Sequence, residues 1–270
     1  MVFKNSYIFL RKKIRSIYLN SSIYNKKISS FSDSSLEYSP SPSLLDCLVK
    51  YNKKKINIEN YSLDKIWTDQ NLIKKYYDNL NSFFWLFSLD LKSSKKDTQS
   101  VILRWIENNN NYNSKNWEID IIAKRIIAWI SNSRLTYKDG GVVYRNKFNR
   151  AIKKQINHLV NEIEKSEWVD DKMIGCAAII LSGLSYQDKD DYLNSGLNLL
   201  KKIKKNSFDD DGFPRSRNIG HLNFYLKYFV LIREWLKESQ NEIPEYIDES
   251  IYYLGQAYSF IWQNNKKDFL

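Results

Sequence analysis

The stretch "DKMIGCAAIILSGLS", residues 171–185, decides the fold. After Asp171 and Lys172 it is apolar or small at almost every position. It does not alternate with period two, as a half-buried strand would, and it is shorter than the ~18 apolar residues a membrane span needs. A helix apolar nearly all round must be buried on several sides. The flanking sequence has to supply the helices that cover it.

It does so in both directions. Upstream, residues 145–165 place Phe148, Ile152, Ile156, Leu159 and Ile163 on one helix face. Residues 117–131 do the same with Ile119, Ile122, Ile126, Trp129 and Ile130, residues 97–107 with Val101, Ile102 and Trp105, and residues 71–91 with Leu72, Tyr76, Leu80, Phe83, Phe84 and Leu86. Downstream, residues 188–205 carry Leu193, Leu197 and Leu200. Residues 220–238 carry Leu222, Leu226, Phe229, Ile232 and Leu236. Residues 246–262, with Pro244 ahead of them, carry Ile247, Ile251, Leu254, Tyr258 and Ile261. The connections are short, no strand alternation stands out, and no fixed-period repeat is visible. The expectation is an all-α chain of consecutive antiparallel helical hairpins over residues 61–270, closing as a toroid or an irregular bundle.

Residues 1–60 are the least regular, and "SSFSDSSLEYSPSPSL" (29–44) reads as a loop or linker. The first 27 residues contain apolar side chains, interrupted by Arg11-Lys12-Lys13. They lack a continuous apolar core and a small-residue cleavage site, so a secretory signal is not supported. A basic amphipathic helix here lies either on a membrane surface or on the body of the protein, and the second reading is preferred. A cytoplasmic chain is expected, with the periplasm as the alternative.

Lys and Arg number 42 against 31 Asp and Glu, a formal charge of +11. Lysine is spread over nearly every segment, so the excess fits either a sequence-wide bias or an anionic partner. No nucleic-acid motif accompanies it, so nucleic acid is not an expected partner. Cys47 and Cys176 stand alone, and the only histidines are His158 and His221, which leaves no disulfide framework and no metal-ligand spacing.

Polar chemistry concentrates in "FDDDGFPRSRNIGHLNFYLKYF", residues 208–229. Asp211-Gly212 permits a tight turn and Pro214 fixes φ. Arg215 and Arg217 offer forked donors suited to carboxylates or sulfates. Asn218 can cap the next helix or hydrogen-bond a sugar acid. His221 falls in that helix's first turn, where the dipole disfavours its protonated form. The competing reading is a plain connecting loop, with the arginines paired to Asp209, Asp210 or Asp211 and Asn218 as N-cap. An EF-hand does not fit, because Asn218 stands where the bidentate Glu belongs. Elsewhere, Arg125 lies on an apolar helix and either anchors a buried ion pair or reaches a cleft. Trp117 and Trp129 are core residues or sugar platforms. His158 is expected to be partly exposed, and Lys153-Lys154 to be solvated. Gly140-Gly141 is a loop pair, not a phosphate cradle.

Three segments in order, "LNSFFWLFSLDL" with "ILRWIENNNNYNSKNWEIDIIAKRIIAWI" (80–91 and 102–130), "IGCAAIILSGLSY" (174–186) and "DDDGFPRSRN" (209–218), resemble the N-terminal helical domain of heparinase II/III-like proteins. The resemblance covers about residues 70–270. It implies an incomplete (α/α) toroid and a C-terminal β-sandwich domain, which would be a partner on a continuing or separate chain. It also implies β-elimination on a uronic-acid polysaccharide, an anionic partner, with no metal or organic cofactor. A lyase of this kind neutralises the uronate carboxylate, removes the C5 proton and protonates the leaving oxygen.

The catalytic candidates are Asn218, Arg217 and His221, and the substrate-binding candidates are Arg215, Arg217, Arg125 and Trp117; of the family's own motif, the resemblance matches Arg215-Ser216. Three residues depart from the family pattern. Asp170 and Asp171 stand where an Asn-His pair is expected, and Ile219 stands where a tyrosine should follow Arg215-Ser216. "SRN" is similar to a less-characterised branch of the family. A non-catalytic helical module binding an anionic glycan or a partner protein is therefore the alternative.

Overall fold

The computed structural model describes residues 2–30, 33–41, 44, 74–89, 94–186 and 191–264. Cys47 and Leu72 fall outside these residues. The apolar stretch that opens the sequence argument forms the helix Val169–Ser185, and from Met173 onward every residue except Gly183 is buried.

In chain order the helices are α1 (Val2–Leu19), α2 (Ser22–Ile28), α3 (Lys74–Ser82), α4 (Lys95–Asn109), α5 (Ile119–Ser131), the short α6 (Ser133–Thr136), α7 (Val142–Glu162), α8 (Val169–Ser185), α9 (Tyr192–Ser207), α10 (Ile219–Glu238) and α11 (Glu245–Asn264). Short 3₁₀ turns cover Phe84–Ser88 and Ile163–Lys165. Outside the helices, an isolated bridge joins Phe208 and Pro214.

The helices form two rows. In the first, α3 packs on α5, α5 on α8, and α8 on α10. The second holds α4, α7, α9 and α11. Polar ties link its members: Lys147 of α7 with Glu107 of α4 (2.8 Å), the Tyr192 hydroxyl of α9 donating to Asn157 of α7 (2.6 Å), and the Tyr246 hydroxyl of α11 donating to the Leu197 carbonyl of α9 (2.9 Å). Each first-row helix from α5 onward is the second arm of a hairpin with a second-row helix. α5, α8 and α10 therefore run the same way, and their N-termini gather on one rim. This is the (α/α) toroid architecture expected from the sequence. The α8–α9 contact is the tightest seam: a Cβ on Gly183 would come within 2.4 Å of the Leu193 backbone nitrogen, so any larger residue would push the pair apart.

The core continues into an aromatic group in which Phe83, Trp105 and Trp129 meet edge to face and Phe148 stacks on Trp129. Aromatic pairs of this geometry contribute ~1 kcal/mol each beyond their burial.

Residues 1–60 do not begin as the irregular segment expected of them. Residues 2–19 and 22–28 are helical, because Leu19, Tyr24 and Ile28 find a docking face on α7. The Tyr24 hydroxyl lies 2.8 Å from His158 Nδ1. The Asn157 amide donates to the carbonyls of Ile28 (3.0 Å) and Ser30 (3.1 Å), and Arg15 pairs with Glu162. Residues 33–41 run without regular structure along the far end, where the Glu37 amide donates to the Ser185 carbonyl (2.9 Å). Among the described residues no helix is long and apolar enough to cross a membrane.

Candidate functional site

The rim where α5, α8 and α10 begin carries the loop that the sequence singled out. Residues 208–215 close on themselves. The Asp209 amide donates to the Phe213 carbonyl (3.0 Å), the Arg215 amide to the Ser207 carbonyl (2.9 Å) and the Phe213 amide to Asp209 Oδ1 (2.8 Å). Gly212 sits at φ +82, and a Cβ there would lie 2.6 Å from the Tyr253 carbonyl. Only glycine suits both conditions. The turn thus docks on α11 and aims the next residues at the rim.

Arg217 is also left-handed, at φ +57. A non-glycine residue held there costs of order 1 kcal/mol, and such strain concentrates at functional loops. Its amide donates to the Pro214 carbonyl (2.9 Å). Its guanidinium is exposed and only 4.0 Å from Asp209, at the limit of an ion pair. Arg215 is exposed as well. Asn218 is the N-cap of α10: its side-chain oxygen accepts from the Gly220 amide (2.9 Å). The cap uses that oxygen, so what remains for a ligand is the amide nitrogen.

His221 is the pivot. Its Nδ1 lies 2.9 Å from the Ser216 hydroxyl and its Nε2 3.7 Å from Asp170 Oδ1. The imidazole is thereby held between a hydroxyl on its own loop and a carboxylate on α8. Asp171 faces elsewhere. It accepts from Ser166 (3.3 Å), and partial burial together with the charge of Asp120 raises its carboxyl above the usual range.

The sequence reading missed three residues here. Tyr225 and Tyr228 follow His221 at i+4 and i+7 and so share its face of α10. Burial, reinforced by the nearby Asp170 charge, pushes both phenols up, Tyr225 to about 12. The i, i+4, i+7 spacing from His221 is visible in the sequence, but the helix pattern was read from Leu222, Leu226, Phe229, Ile232 and Leu236 alone. Trp168, two residues before Asp170, is 73 % exposed. It is the open aromatic surface beside the rim, and its place immediately ahead of an apolar helix was the available signal.

Two expected substrate-binding residues lie elsewhere. Arg125 is completely buried. Its Nε donates to Gln155 (2.6 Å), its Nη1 to the Asn81 carbonyl (2.7 Å) and its Nη2 to the Asn116 carbonyl (3.0 Å), and the guanidinium lies 4.0 Å from the Trp105 ring centroid. It cross-links three segments and reaches no cleft. Trp117 is buried against Tyr112 and His158, so it is no open sugar platform, and Trp129 is core as well.

His158, expected to be partly exposed, is enclosed by α2, and burial pushes its imidazole down to about 4. Lys153 and Lys154 are buried too, not solvated. α7 is covered on more sides than its apolar stripe shows, and the Lys154 ammonium donates to the Asn110 carbonyl.

No family model matches the chain, and no curated protein matches it. Its structure is similar to the crystal structure of heparinase III, with TM-score 0.55 and 14% sequence identity, over 88% of this chain and 38% of that one. The fold is heparinase-like. At this identity the likeness extends to the toroid architecture alone, and the chain spans well under half the length of heparinase III.

Proposed function

We propose that the chain is the helical part of a polysaccharide lyase-like protein acting on a uronic-acid polysaccharide. The observation that carries this reading is His221 set between Ser216 and Asp170 on a rim that also bears two exposed arginines and an exposed tryptophan. The heparinase-like fold supports the same class.

In this reading Trp168 stacks against a sugar face. Arg215 and Arg217 bind the uronate carboxylate with forked hydrogen bonds, drawing charge from the C5 carbon and making its proton removable. The Asp170 carboxylate, 3.7 Å from Nε2 and beyond a direct hydrogen bond, favours the tautomer with the proton on Nε2 and so leaves Nδ1 of His221 as the base. With the Ser216 hydroxyl turned aside, Nδ1 takes the C5 proton. The electron pair then forms the C4=C5 bond as the C4–O bond breaks. The leaving oxygen is protonated by a group on the second domain that the resemblance implies, on a continuing or separate chain. The three helix N-termini at this rim add positive potential for an anionic substrate.

A second reading rests on the carboxylates at 170 and 171: the rim binds an anionic glycan, or a partner protein, without cleaving it. Heparan sulfate, chondroitin, alginate and glucuronan, offered in turn, distinguish the two through the ultraviolet absorbance of the unsaturated uronate product. A rise lost in His221→Gln supports the lyase. Binding that needs Arg215 and Arg217, with no rise, supports the glycan-binding module.

A further inference from the structure

The end of the helices opposite the candidate site carries a cavity of its own. α8 has 17 residues, roughly 25 Å at 1.5 Å per residue. Asp170 stands at one end of it and Tyr186 just past the other. Beside Tyr186, the N-terminal half of α7 and residues 33–35 enclose a cavity of about 520 Å³, within the usual range of small-molecule sites.

We infer that this cavity binds a sulfate or phosphate ester of a small hydroxylated molecule, of the size of a mono- or disaccharide. Arg145, Arg150 and Lys153 line it at i, i+5 and i+8 of one helix, and the one carboxylate among the described lining residues is Asp33. Asp33 reaches Arg150 at only 3.9 Å, with both side chains largely exposed, so the pair is weak and leaves the cavity positive. The arginine forks match two oxygens of a tetrahedral ester.

The floor is built in advance. Lys153 is 1% exposed, with its ammonium 5.5 Å from the Tyr186 ring centroid. Asn149, also buried, donates to the Tyr137 hydroxyl (3.1 Å) and accepts from the Tyr186 hydroxyl (3.1 Å). Groups fixed before binding lose little freedom on binding. The serines and Asn146 on the wall supply partners for hydroxyl groups. The site is independent of the lyase reading and shares no residue with it.

Isothermal titration of the full chain with glucose 6-phosphate, glucose 6-sulfate and unsubstituted glucose tests the inference. At least one ester is expected to bind where glucose does not, and the tighter ester identifies the group recognised. The Arg145→Gln/Arg150→Gln variant should bind that ester at least tenfold more weakly with an unchanged melting temperature, and Arg145→Gln alone several-fold more weakly. Arg215→Gln/Arg217→Gln should bind it as the parent does. The inference is overturned if neither ester binds, if glucose binds as tightly, or if the Arg145/Arg150 variants keep full affinity.

Discussion

Replacing Arg125 with Met tests whether that residue belongs to the scaffold or to the site. The substitution keeps much of the volume and removes three donors. It leaves the Gln155 side-chain oxygen and the Asn81 and Asn116 carbonyls without their guanidinium partner. Each buried acceptor left unpaired costs about 1–3 kcal/mol, and loss of the stacking on Trp105 adds roughly 1 kcal/mol. Removing the buried charge, whose desolvation costs several kcal/mol, returns part of this. The net expectation is a loss of about 3–5 kcal/mol, which lowers the melting temperature by roughly 10 °C in a chain of this size. Differential scanning calorimetry measures it directly. A change of under 2 °C, or an intact melting curve with selective loss of glycan binding, would refute the assignment to the scaffold and return Arg125 to the ligand.

Other outcomes follow from the same geometry. His158 is neutral when folded, and its pKa falls to about 4 from ~6.5 in the unfolded chain. The unfolded state therefore binds the extra proton first as pH falls. Up to about 3 kcal/mol of stability should be lost between pH 6.5 and 4, and His158→Gln should flatten that part of the profile in urea titrations. Gly212→Ala should cost about 1–3 kcal/mol, from the positive φ and the clash with Tyr253, and a wild-type denaturation midpoint would contradict the docking of this turn. Asn218→Ala should lower stability by ~1 kcal/mol as a lost cap, whereas Asn218→Asp should keep most of it. If Trp168 is the sugar platform, Trp168→Ala should raise KM for a uronate polymer with little change in melting temperature.

The helices were legible because burial on one face writes itself as 3.6-residue spacing. The helix expected at 220–238 is Ile219–Glu238, and that expected at 171–185 is Val169–Ser185. The turn at Gly212 and the N-cap at Asn218 were legible from residue type alone. What periodicity does not record is which polar residues a second layer covers. Lys153, Lys154 and His158 lie on the polar side of α7: α2 closes over His158, the loop at Asn110 over Lys154, and Lys153 is buried beside the Tyr186 ring. Arg125 was visible as a charge on an apolar helix, but its three acceptors come from segments up to 44 residues away, which no local pattern joins. The His221–Asp170 pairing likewise spans two helices. The sequence marked each residue separately, and only the shared rim brings them together.

The most direct test of the central proposal follows the C5 proton itself. Proton NMR of a short uronate oligosaccharide with the purified chain in D₂O reports removal of that proton even where the leaving oxygen is not expelled. The account predicts gradual loss of the C5–H signal, slowed at least a hundredfold in His221→Gln and to a lesser degree in Asp170→Asn. An undiminished C5–H signal with the parent chain, or equal exchange in His221→Gln, would contradict it.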